Sequence, residues 1–383
     1  YGFGIEVLTN GAILVNGLTV EGFQVFGAFL ENMHSTLAVK PGVTVTKSSF
    51  NGNGDWGLAI ASKGPVTLTS LSADNNFVNG VSILTDGNVL IQGGSATNNQ
   101  GYGIEVTTPG NLTISGTTAN FNWHGFHLAG IGGNVLLSNL TAKRNRNYGA
   151  GVHMDGEGKT LTVTRSVFNE NVDGGLSAIT LGPILISGVS ADGNDTVDSD
   201  HADDDYGLYL NNLDAAVPSP VTVNGAAGGN SFDRNTTGLG IISKGPVSVS
   251  AFSADWNLKY GVHVDTCVFE DPECTASGSV QVSFGTANDN GEIGLVVMGG
   301  GTIKIKNVDA IYNGRVVEGE DPEDGYGLYL HSDGDVSISQ SNIYANWRNG
   351  IRLYQDSGIL TLSAVVYFGN DRSGEGYSDV WVD

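Results

Sequence analysis

Two consecutive segments of the chain read GVSILTDGNVLIQGGSATNN (residues 80–99) and GIEVTTPGNLTISGTTANFN (residues 103–122). Each has a strand opened by Gly, then an apolar-x-apolar strand, an apolar residue five positions later and an Asn three positions after that. The alternation of apolar and polar residues indicates strands with one buried face. Such short strands, with Gly or Asn at the bends and no helical period, exclude a helical bundle and a sandwich of long strands.

The same pattern recurs along the chain, and the Asn marks its position most clearly. Successive Asn residues are mostly 22–24 residues apart, with a few larger steps of 26, 33 and 41. A coil of fixed length that carries loop insertions explains this spacing, and we place the insertions at 195–206, 211–220, 265–278 and 314–326. The aligned residues are Asn53, Asn76, Asn99, Asn122, Asn145, Asn171, Asn194, Asn235, Asn257, Asn290, Asn313, Asn346 and Asn370.

A single coil of this kind cannot bury its apolar face, so successive coils must stack about 4.8 Å apart. The aligned Asn side chains then lie above one another, and we expect a buried ladder in which each amide hydrogen-bonds the neighbouring coils. No linker or change of composition divides the chain. We therefore expect residues 1–383 to form one domain, and, because residue 1 already lies within a repeat, a segment of a longer protein.

The Gly-Ile-x-Val, Val-x-Ile and Ala-x-x-Asn coil resembles the repeat of the pectate-lyase-like right-handed parallel β-helix superfamily. In character it is most similar to bacterial surface and adhesin-type β-helix repeat proteins. The resemblance covers the whole chain and implies an all-β, right-handed parallel β-helix solenoid of about 14 coils of 22–23 residues. Pectate lyases, polygalacturonases, alginate epimerases, phage tailspikes and adhesins share this fold, so the resemblance implies a polysaccharide or cell-surface context and leaves the chemistry open.

The catalytic signatures of the superfamily's enzymes are absent from the chain. It lacks the Gly-His-Gly and Asn-Thr-Asp strings of polygalacturonases and the Asp-Pro-His-Glu string of alginate epimerases. The nearest strings, at residues 271–273 and 321–323, read Asp-Pro-Glu without the His. No Arg aligns with a carboxylate cluster, as it does in pectate lyases. No family catalytic residue is therefore carried over.

The charge of the chain excludes some partners. Forty acidic residues against 17 basic ones give a net charge of -23, which repels nucleic acid and anionic membrane surfaces. No apolar run approaches the roughly 18 residues of a membrane span, so we expect no membrane insertion. The same charge repels acidic polysaccharides unless a divalent cation intervenes.

Two features favour an extracellular or cell-surface location. Cys267 and Cys274 flank a Pro-containing segment and could form a small disulfide clip, although two free thiols are the other interpretation. Four Asn-x-Ser/Thr sequons begin at Asn111, Asn139, Asn194 and Asn235, but such sequons also arise by chance in a chain rich in Asn and Thr.

The Gly-opened strands carry most of the chemically versatile side chains. Positions two and four after the Gly point outward, and the first of these two columns is expected to contain His127, His153, Tyr209, His263 and Tyr329. The second column adds Asp155 beside His153, Asn211 beside Tyr209, and Asp265 beside His263. The outward residues of the second strand are mostly Thr, Ser or Leu. The insertions at 211–220 and 265–278 flank Gly240 in the first column, and a cleft is expected there.

Three interpretations of this face stay open. Tyr209, Asn211, His263 and Tyr329 could line a groove that binds a glycan. The pairs His153–Asp155 and His263–Asp265 could transfer protons in catalysis. The face could also be a solvated surface without a ligand.

The insertion that follows Asn194 is rich in carboxylates. Asp198, Asp200, Asp203 and Asp205 have a spacing that suits calcium, which prefers six to eight oxygen ligands. An acidic loop without a metal is the alternative, because the EF-hand pattern is missing. No other cofactor is expected.

Together these features favour an extracellular structural or adhesive rod, a surface-protein segment or filament with glycan contact. Its other expected partners are like subunits stacked end to end. The alternative is a carbohydrate-active enzyme, either a polysaccharide lyase, a glycoside hydrolase or an epimerase.

Calcium should raise the melting temperature, because an ion that binds only the folded chain stabilises it by mass action. Thermal unfolding with millimolar calcium, and again with EDTA, measures the effect. The double variant Asp198→Asn, Asp200→Asn should lose the response. A melting curve that neither calcium nor EDTA changes would remove the calcium site.

Overall fold

A computed structural model describes residues 2–194, 206–225, 229–266, 278–314, 325–355, 357–372, 376 and 379–382. The chain divides into two compact units, Tyr1–Leu181 (unit 1) and Gly182–Asp383 (unit 2). Within the described residues the regular structure consists of β-strands. None of those residues belongs to a helix that could cross a bilayer.

Unit 1 contains two parallel sheets, and every strand pairs with the equivalent strand of the next coil. Sheet A holds the Gly-opened strands β1 (Ile5–Leu8), β4 (Ala28–Glu31), β7 (Leu58–Ser62), β9 (Val81–Thr85), β11 (Ile104–Thr107), β13 (Phe126–Ile131), β15 (Tyr148–Met154) and β17 (Gly174–Ile179). Sheet B holds β2 (Ile13–Asn16), β3 (Thr19–Glu21), β5 (Val43–Thr46), β6 (Ser49–Asn51), β8 (Val66–Ser72), β10 (Val89–Ser95), β12 (Leu112–Thr118), β14 (Val135–Ser138) and β16 (Leu161–Thr164).

Unit 2 has the same two-sheet organisation. Its part of sheet A consists of β19 (Tyr206–Asn211), β22 (Thr237–Ile242), β24 (Val262–Asp265), β26 (Leu295–Gly299), β28 (Leu328–Ser332), β31 (Ile351–Gln355) and β34 (Val380–Val382). Its part of sheet B consists of β18 (Ile184–Ser187), β20 (Val221–Asn224), β21 (Asn230–Ser231), β23 (Val247–Ser253), β25 (Val280–Thr286), β27 (Ile303–Asp309), β29 (Val336–Ser339), β30 (Asn342–Tyr344), β32 (Leu360–Ser363) and β33 (Val366–Phe368).

The core of each unit consists of aliphatic columns. Val81, Ile104 and Phe126 pair in register on successive strands of sheet A, and all three are buried. Each fully buried side chain of this size stabilises the fold by about 1.5–3 kcal/mol. Because coils stack without register shifts at most pairings, equivalent side chains contact each other from one coil to the next.

The Asn ladder fills the bend between sheet B and sheet A, and Asn99 shows its geometry. The Oδ1 of Asn99 accepts hydrogen bonds from the backbone N–H and the side-chain amide of Asn76, at 2.8 and 3.0 Å. Asn99 donates in the same way to Oδ1 of Asn122, at 2.9 and 3.0 Å, and its Nδ2 also donates to the carbonyl of Ala73. Each rung therefore joins the main chain of one coil to the side chain of the next.

A ladder of this kind runs through each unit. In unit 1 it extends from Asn53 to Asn171, and in unit 2 from Asn194 to Asn370. Every rung is buried except Asn370, which is partly buried. The amide of Asn370 donates to Oδ1 of Asp379 at 2.8 Å, so a carboxylate accepts the last rung.

The Gly that opens each sheet A strand is required by the ladder. A Cβ on Gly103 would lie 2.6 Å from the carbonyl oxygen of Gly125 and 2.7 Å from Nδ2 of Asn122. Any larger residue would therefore push the ladder amide out of place. The recurrence of an opening Gly together with a bend Asn in the repeat follows from this contact.

Unit 2 carries a second ladder on its outer surface, made of carboxylates. Oδ1 of Asp192 accepts the backbone N–H of Asp233 at 3.0 Å, and Asp233 accepts that of Asp255 at 2.8 Å. Asp255 in turn accepts the N–H of Asn288 at 2.7 Å. Burial raises the pKa of Asp255, while the hydrogen bond from Asn288 acts to lower it. These carboxylates thus tie coils together from the outside.

The predicted fold class, an all-β parallel β-helix solenoid, is confirmed. The insertion at 211–220 is closed by Asn212, whose Nδ2 donates to the carbonyls of Gly182 and Ser219 at 3.2 and 2.9 Å. Most of the other three predicted insertions lies outside the described residues. That residues 1–383 form a single domain remains a prediction.

Replacing Asn99 by Ala should lower the free energy of unfolding by about 1–3 kcal/mol, because the amide and the N–H of Asn76 would lose their acceptor in a buried site. Urea unfolding measures the loss. The control variant Gln100→Ala changes the adjacent exposed residue and should stay within about 0.5 kcal/mol of the wild type. An equal loss in both variants would contradict the role of the ladder.

Candidate functional site

The outer face of sheet A in unit 2 brings the predicted glycan-binding residues together in two columns. The strand register defines the first column as Tyr209, Gly240, His263, Val296, Tyr329, Arg352 and Trp381. The second column, two residues further along each strand, contains Asn211, Ile242, Asp265, Met298, His331 and Tyr354. Tyr209, His263 and Tyr329 share the first column, and Asn211 and Asp265 share the second.

Tyr209 and Asn211 interact directly. Nδ2 of Asn211 donates to the hydroxyl oxygen of Tyr209 at 3.1 Å, and Oδ1 of Asn211 accepts the backbone N–H of Leu213 at 2.9 Å. The sequence predicts an open cleft over Gly240, next to these two residues. The described residues leave no cleft there. The ring of Tyr206 fills the space, so closely that a Cβ on Gly240 would collide with the ring.

His263 lies at the centre of this face and is held as a neutral base. Its Nε2 atom is buried, with no hydrogen-bond partner among the described residues. The ring of Tyr260 packs edge-on against it at 5.7 Å. Burial lowers the pKa of His263 to about 4, because the surrounding side chains cannot solvate an imidazolium. The imidazole is thus uncharged at neutral pH.

Arg352 lies in a cage of four aromatic rings. Its guanidinium carbon is 5.1 Å from the ring centres of Tyr354 and Trp381, 5.2 Å from that of Tyr326 and 5.9 Å from that of Tyr329. The guanidinium also donates hydrogen bonds to the hydroxyls of Tyr326 and Tyr354. Cation–π contacts of this kind hold the long side chain in one conformation.

Arg352, two positions after Gly350, lies in the first column as the spacing predicts, whereas its neighbours Tyr354 and Trp381 were not predicted. Arg352 and Tyr354 stand two residues apart in β31, and this i, i+2 spacing puts them on one face of the strand. That spacing was the available signal. Trp381 reaches Arg352 only through the pairing of β31 with β34.

The predicted position of His153 is wrong. β15 pairs Gly151 with His127, so Gly151 occupies the first column, and His153 lies in the second column beside Ile179. The opening Gly of this strand is Gly149, where a Cβ would collide with the backbone of the next coil, whereas a Cβ on Gly151 would meet nothing within 4 Å. The string Tyr-Gly-Ala-Gly offers two candidate glycines, and only contact with the neighbouring coil distinguishes them.

His153 and Asp155 do form a pair. Nε2 of His153 lies 3.5 Å from Oδ1 of Asp155, and the two side chains are 60% and 62% exposed. An ion pair this exposed contributes little to stability, and water competes for both partners. A buried, preorganised proton-transfer pair would need much stronger shielding from solvent.

A second group of titratable side chains lies on the outer face of sheet A in unit 1. The rings of Tyr102 and His127 stack at 4.5 Å, and His124 packs 5.3 Å from Tyr102. Burial, and then the nearby His127, lower the pKa of His124 to about 4. Oε2 of Glu105, which lies beside His127 in register, accepts a hydrogen bond from Ser82 at 2.8 Å. The rings of Tyr102, His124 and His127 pack mainly against one another.

The predicted calcium ligands Asp198, Asp200, Asp203 and Asp205 lie outside the described residues, as do Cys267 and Cys274. The described part of the chain contains no group of three or more His, Cys, Asp or Glu side chains that could hold a metal ion. The calcium site and the disulfide stay predictions.

Lowering the pH from about 6.5 towards 4 should decrease the free energy of unfolding. The unfolded chain binds a proton on His263 near its usual pKa of 6.5, whereas the folded chain resists protonation down to about 4. The variant His263→Gln should lose part of this decrease. Chemical unfolding across this pH range provides the measurement, and identical pH profiles for variant and wild type would contradict the buried neutral imidazole.

Comparison with known proteins matches the chain to a family model and to solved structures. Among curated proteins, none matches the chain in sequence. The A-module of a mannuronan C-5 epimerase from Azotobacter vinelandii aligns over 90% of this chain and 91% of its own, with 12% identity and a TM-score of 0.32. The family of right-handed β-helix regions matches residues 3–157 and, overlapping these, residues 56–217. More than half of the chain is thus covered, and the chain belongs to the right-handed β-helix family.

Proposed function

We propose that the chain is an extracellular structural or adhesive β-helical protein that contacts glycans through the outer face of sheet A in unit 2. The aromatic cage around Arg352 is the observation that carries the proposal. It combines half-buried aromatic rings with a fixed cation on a rigid sheet. Such rings can stack on the apolar face of a sugar, and the terminal N–H groups of the guanidinium that do not bond Tyr326 or Tyr354 can donate to sugar hydroxyls.

The predicted residues Tyr209, Asn211, His263 and Tyr329 extend this surface along the same face. Tyr209 and Asn211 present a hydroxyl and an amide that already bond each other. The imidazole of His263 lies in the same column, between Tyr209 and Tyr329. A glycan lying across the strands would meet these groups in sequence.

The same two columns favour binding over hydrolysis. Among the described residues of these columns, Asp265 is the single carboxylate. Glycoside hydrolysis normally requires two carboxyl groups about 5–9.5 Å apart. A carbohydrate-active enzyme stays the second candidate because His263 is a neutral base next to Asp265, as a lyase or an epimerase would require.

The proposal includes a location outside the cell, for which the four Asn-x-Ser/Thr sequons are relevant. Asn111 and Asn139 are exposed, whereas Asn194 and Asn235 are buried ladder residues whose amides are already hydrogen-bonded. In the folded protein, N-glycosylation would therefore be restricted to Asn111 and Asn139. Stacking of like subunits end to end is a further part of the proposal.

A glycan array with the purified chain tests the function. The wild type should bind at least one class of oligosaccharide, and Tyr329→Ala or Tyr354→Ala should weaken that binding about five- to tenfold, as expected for the loss of one aromatic contact. Leu258→Ala removes an exposed side chain of unit 2 away from the face and serves as control. Incubation of the bound glycan should release no product.

Two outcomes would contradict the proposal. Absence of binding to any glycan would remove the adhesive function. Release of unsaturated, hydrolysed or epimerised sugar, lost in His263→Gln, would establish the enzyme instead.

A further inference from the structure

The ladder corner of unit 1 carries large side chains that the ladder itself does not use. We define this corner by the residues immediately before and after each ladder Asn. Four coils, 23 residues apart, contribute Asn75 and Phe77, Asn98 and Gln100, Phe121 and Trp123, and Arg144 and Arg146. Every one of these side chains is exposed.

Three of the exposed side chains of this corner are aromatic. Phe77 is 59% exposed, Phe121 48% and Trp123 47%. Single exposed apolar residues are common, but three exposed aromatic residues within three successive bends mark an interaction surface. Strand packing does not explain them, because the bend places them outside both sheets.

Part of the corner borders a shallow cavity of about 430 Å³. The corner residues that line it supply a ring, amides and a guanidinium: Phe77, Asn75, Asn98, Gln100 and Arg146. Nδ2 of Asn98 donates to Oδ1 of Asn75 at 2.7 Å, so one amide orients the other. The remaining amide groups of both residues can still donate to and accept from a ligand.

The main chain holds this surface rigidly. The N–H of Phe77 donates to the carbonyl of Asn53 at 2.9 Å, and that of Gln100 donates to the carbonyl of Asn76 at 3.1 Å. Asn75 and Asn98 adopt positive φ values of 60° and 57°, which fixes the direction of their side chains. A ligand would therefore meet a preorganised surface, which lowers the entropic cost of binding.

The spacing along the corner is set by the coil. Phe77 and Trp123 are two coils apart, which corresponds to about 10 Å. This distance is comparable to the length of a disaccharide. Gln100 lies on the coil between them, and Arg146 lies on the coil beyond Trp123.

The corner is also locally basic in a chain with a net charge of -23. Arg144 is neutralised by Glu170, 2.5 Å from its Nε, and its guanidinium lies 6.0 Å from the ring centre of Phe121. Arg146, in contrast, forms no ion pair with any described residue and borders the cavity. Its donors are thus available to a bound molecule.

We propose that the ladder corner of unit 1 is a second carbohydrate-binding site, separate from the face of unit 2. A linear chain of pyranose sugars lies along the corner, with sugar rings on Phe77 and Trp123. Asn75, Asn98 and Gln100 bind its hydroxyls, and Arg146 binds a hydroxyl or a carboxylate of the same chain. Rings with polar amides between them suit sugars, whereas a peptide or lipid surface would favour a more continuous apolar groove.

The test uses the full chain on an array of neutral hexose and hexuronate oligosaccharides. Phe77→Ala and Trp123→Ala should each weaken binding of one oligosaccharide class about five- to tenfold, and the double variant should abolish it. Val172→Ala changes the equivalent exposed position after Asn171 and should leave binding unchanged. Arg146→Gln should weaken hexuronate binding more than neutral binding if a carboxylate is recognised. Melting curves verify that these exposed substitutions leave the fold intact.

The two sites are distinguished by comparing these variants with Tyr354→Ala of unit 2. Signals that depend on Phe77 and Trp123 but not on Tyr354 support the corner site, whatever happens at unit 2. If every glycan signal depends on Tyr354 and none on Phe77 or Trp123, the corner site is wrong and the function proposed above stands. An equal loss in Val172→Ala, or no glycan binding at all, would also overturn the corner site.

Discussion

The hydrogen bond from one ladder Asn to the next is the constraint on which the rest of the structure depends. It fixes the backbone at the bend of every coil, because each Oδ1 accepts both the amide and the main-chain N–H of the preceding rung. The opening Gly of sheet A follows from it, since any side chain there would displace the ladder amide. Leaving a buried amide without a hydrogen-bond partner costs more free energy than the bond itself contributes. A coil that stacks out of register is therefore strongly destabilised. Strand register in both sheets is thereby set at one corner.

The interior of each coil tolerates few side chains, whereas its outer surface tolerates many. This difference explains where a functional site can form. Inward positions such as Val81 and Ile104 must remain aliphatic, because each contacts its equivalents above and below. Outward positions have no such requirement, and unit 2 uses them to assemble an arginine with four aromatic rings from three successive coils. A rigid scaffold of this kind positions side chains without dedicated loops. The same scaffold can therefore host binding on several surfaces.

Much of the fold could be read from the sequence, because the Asn and Gly of each coil are local signals with a fixed spacing. The side-chain surroundings were harder to predict, since they depend on contacts between coils. His153 was misplaced because two glycines precede it and only the backbone of the next coil selects Gly149. The space over Gly240 was expected to be open, but Tyr206 fills it from the neighbouring strand. Phe77 and Trp123 were not predicted to bind a ligand, because they flank the ladder Asn at positions that the repeat indicates only as bends.

The constant step of 23 residues between Asn53, Asn76, Asn99, Asn122 and Asn145 has a consequence for how such a chain can evolve. A whole coil can be duplicated or deleted by in-frame recombination without disturbing its neighbours, because each junction recreates the same ladder bond and the same glycine contact. Length then becomes a quantity that mutation adjusts in discrete steps of about 4.8 Å. Two aromatic residues that face a ligand can be brought closer or moved apart by gaining or losing a module, with no redesign of the core. The distance between binding residues on different coils can thus change by one whole coil at a time.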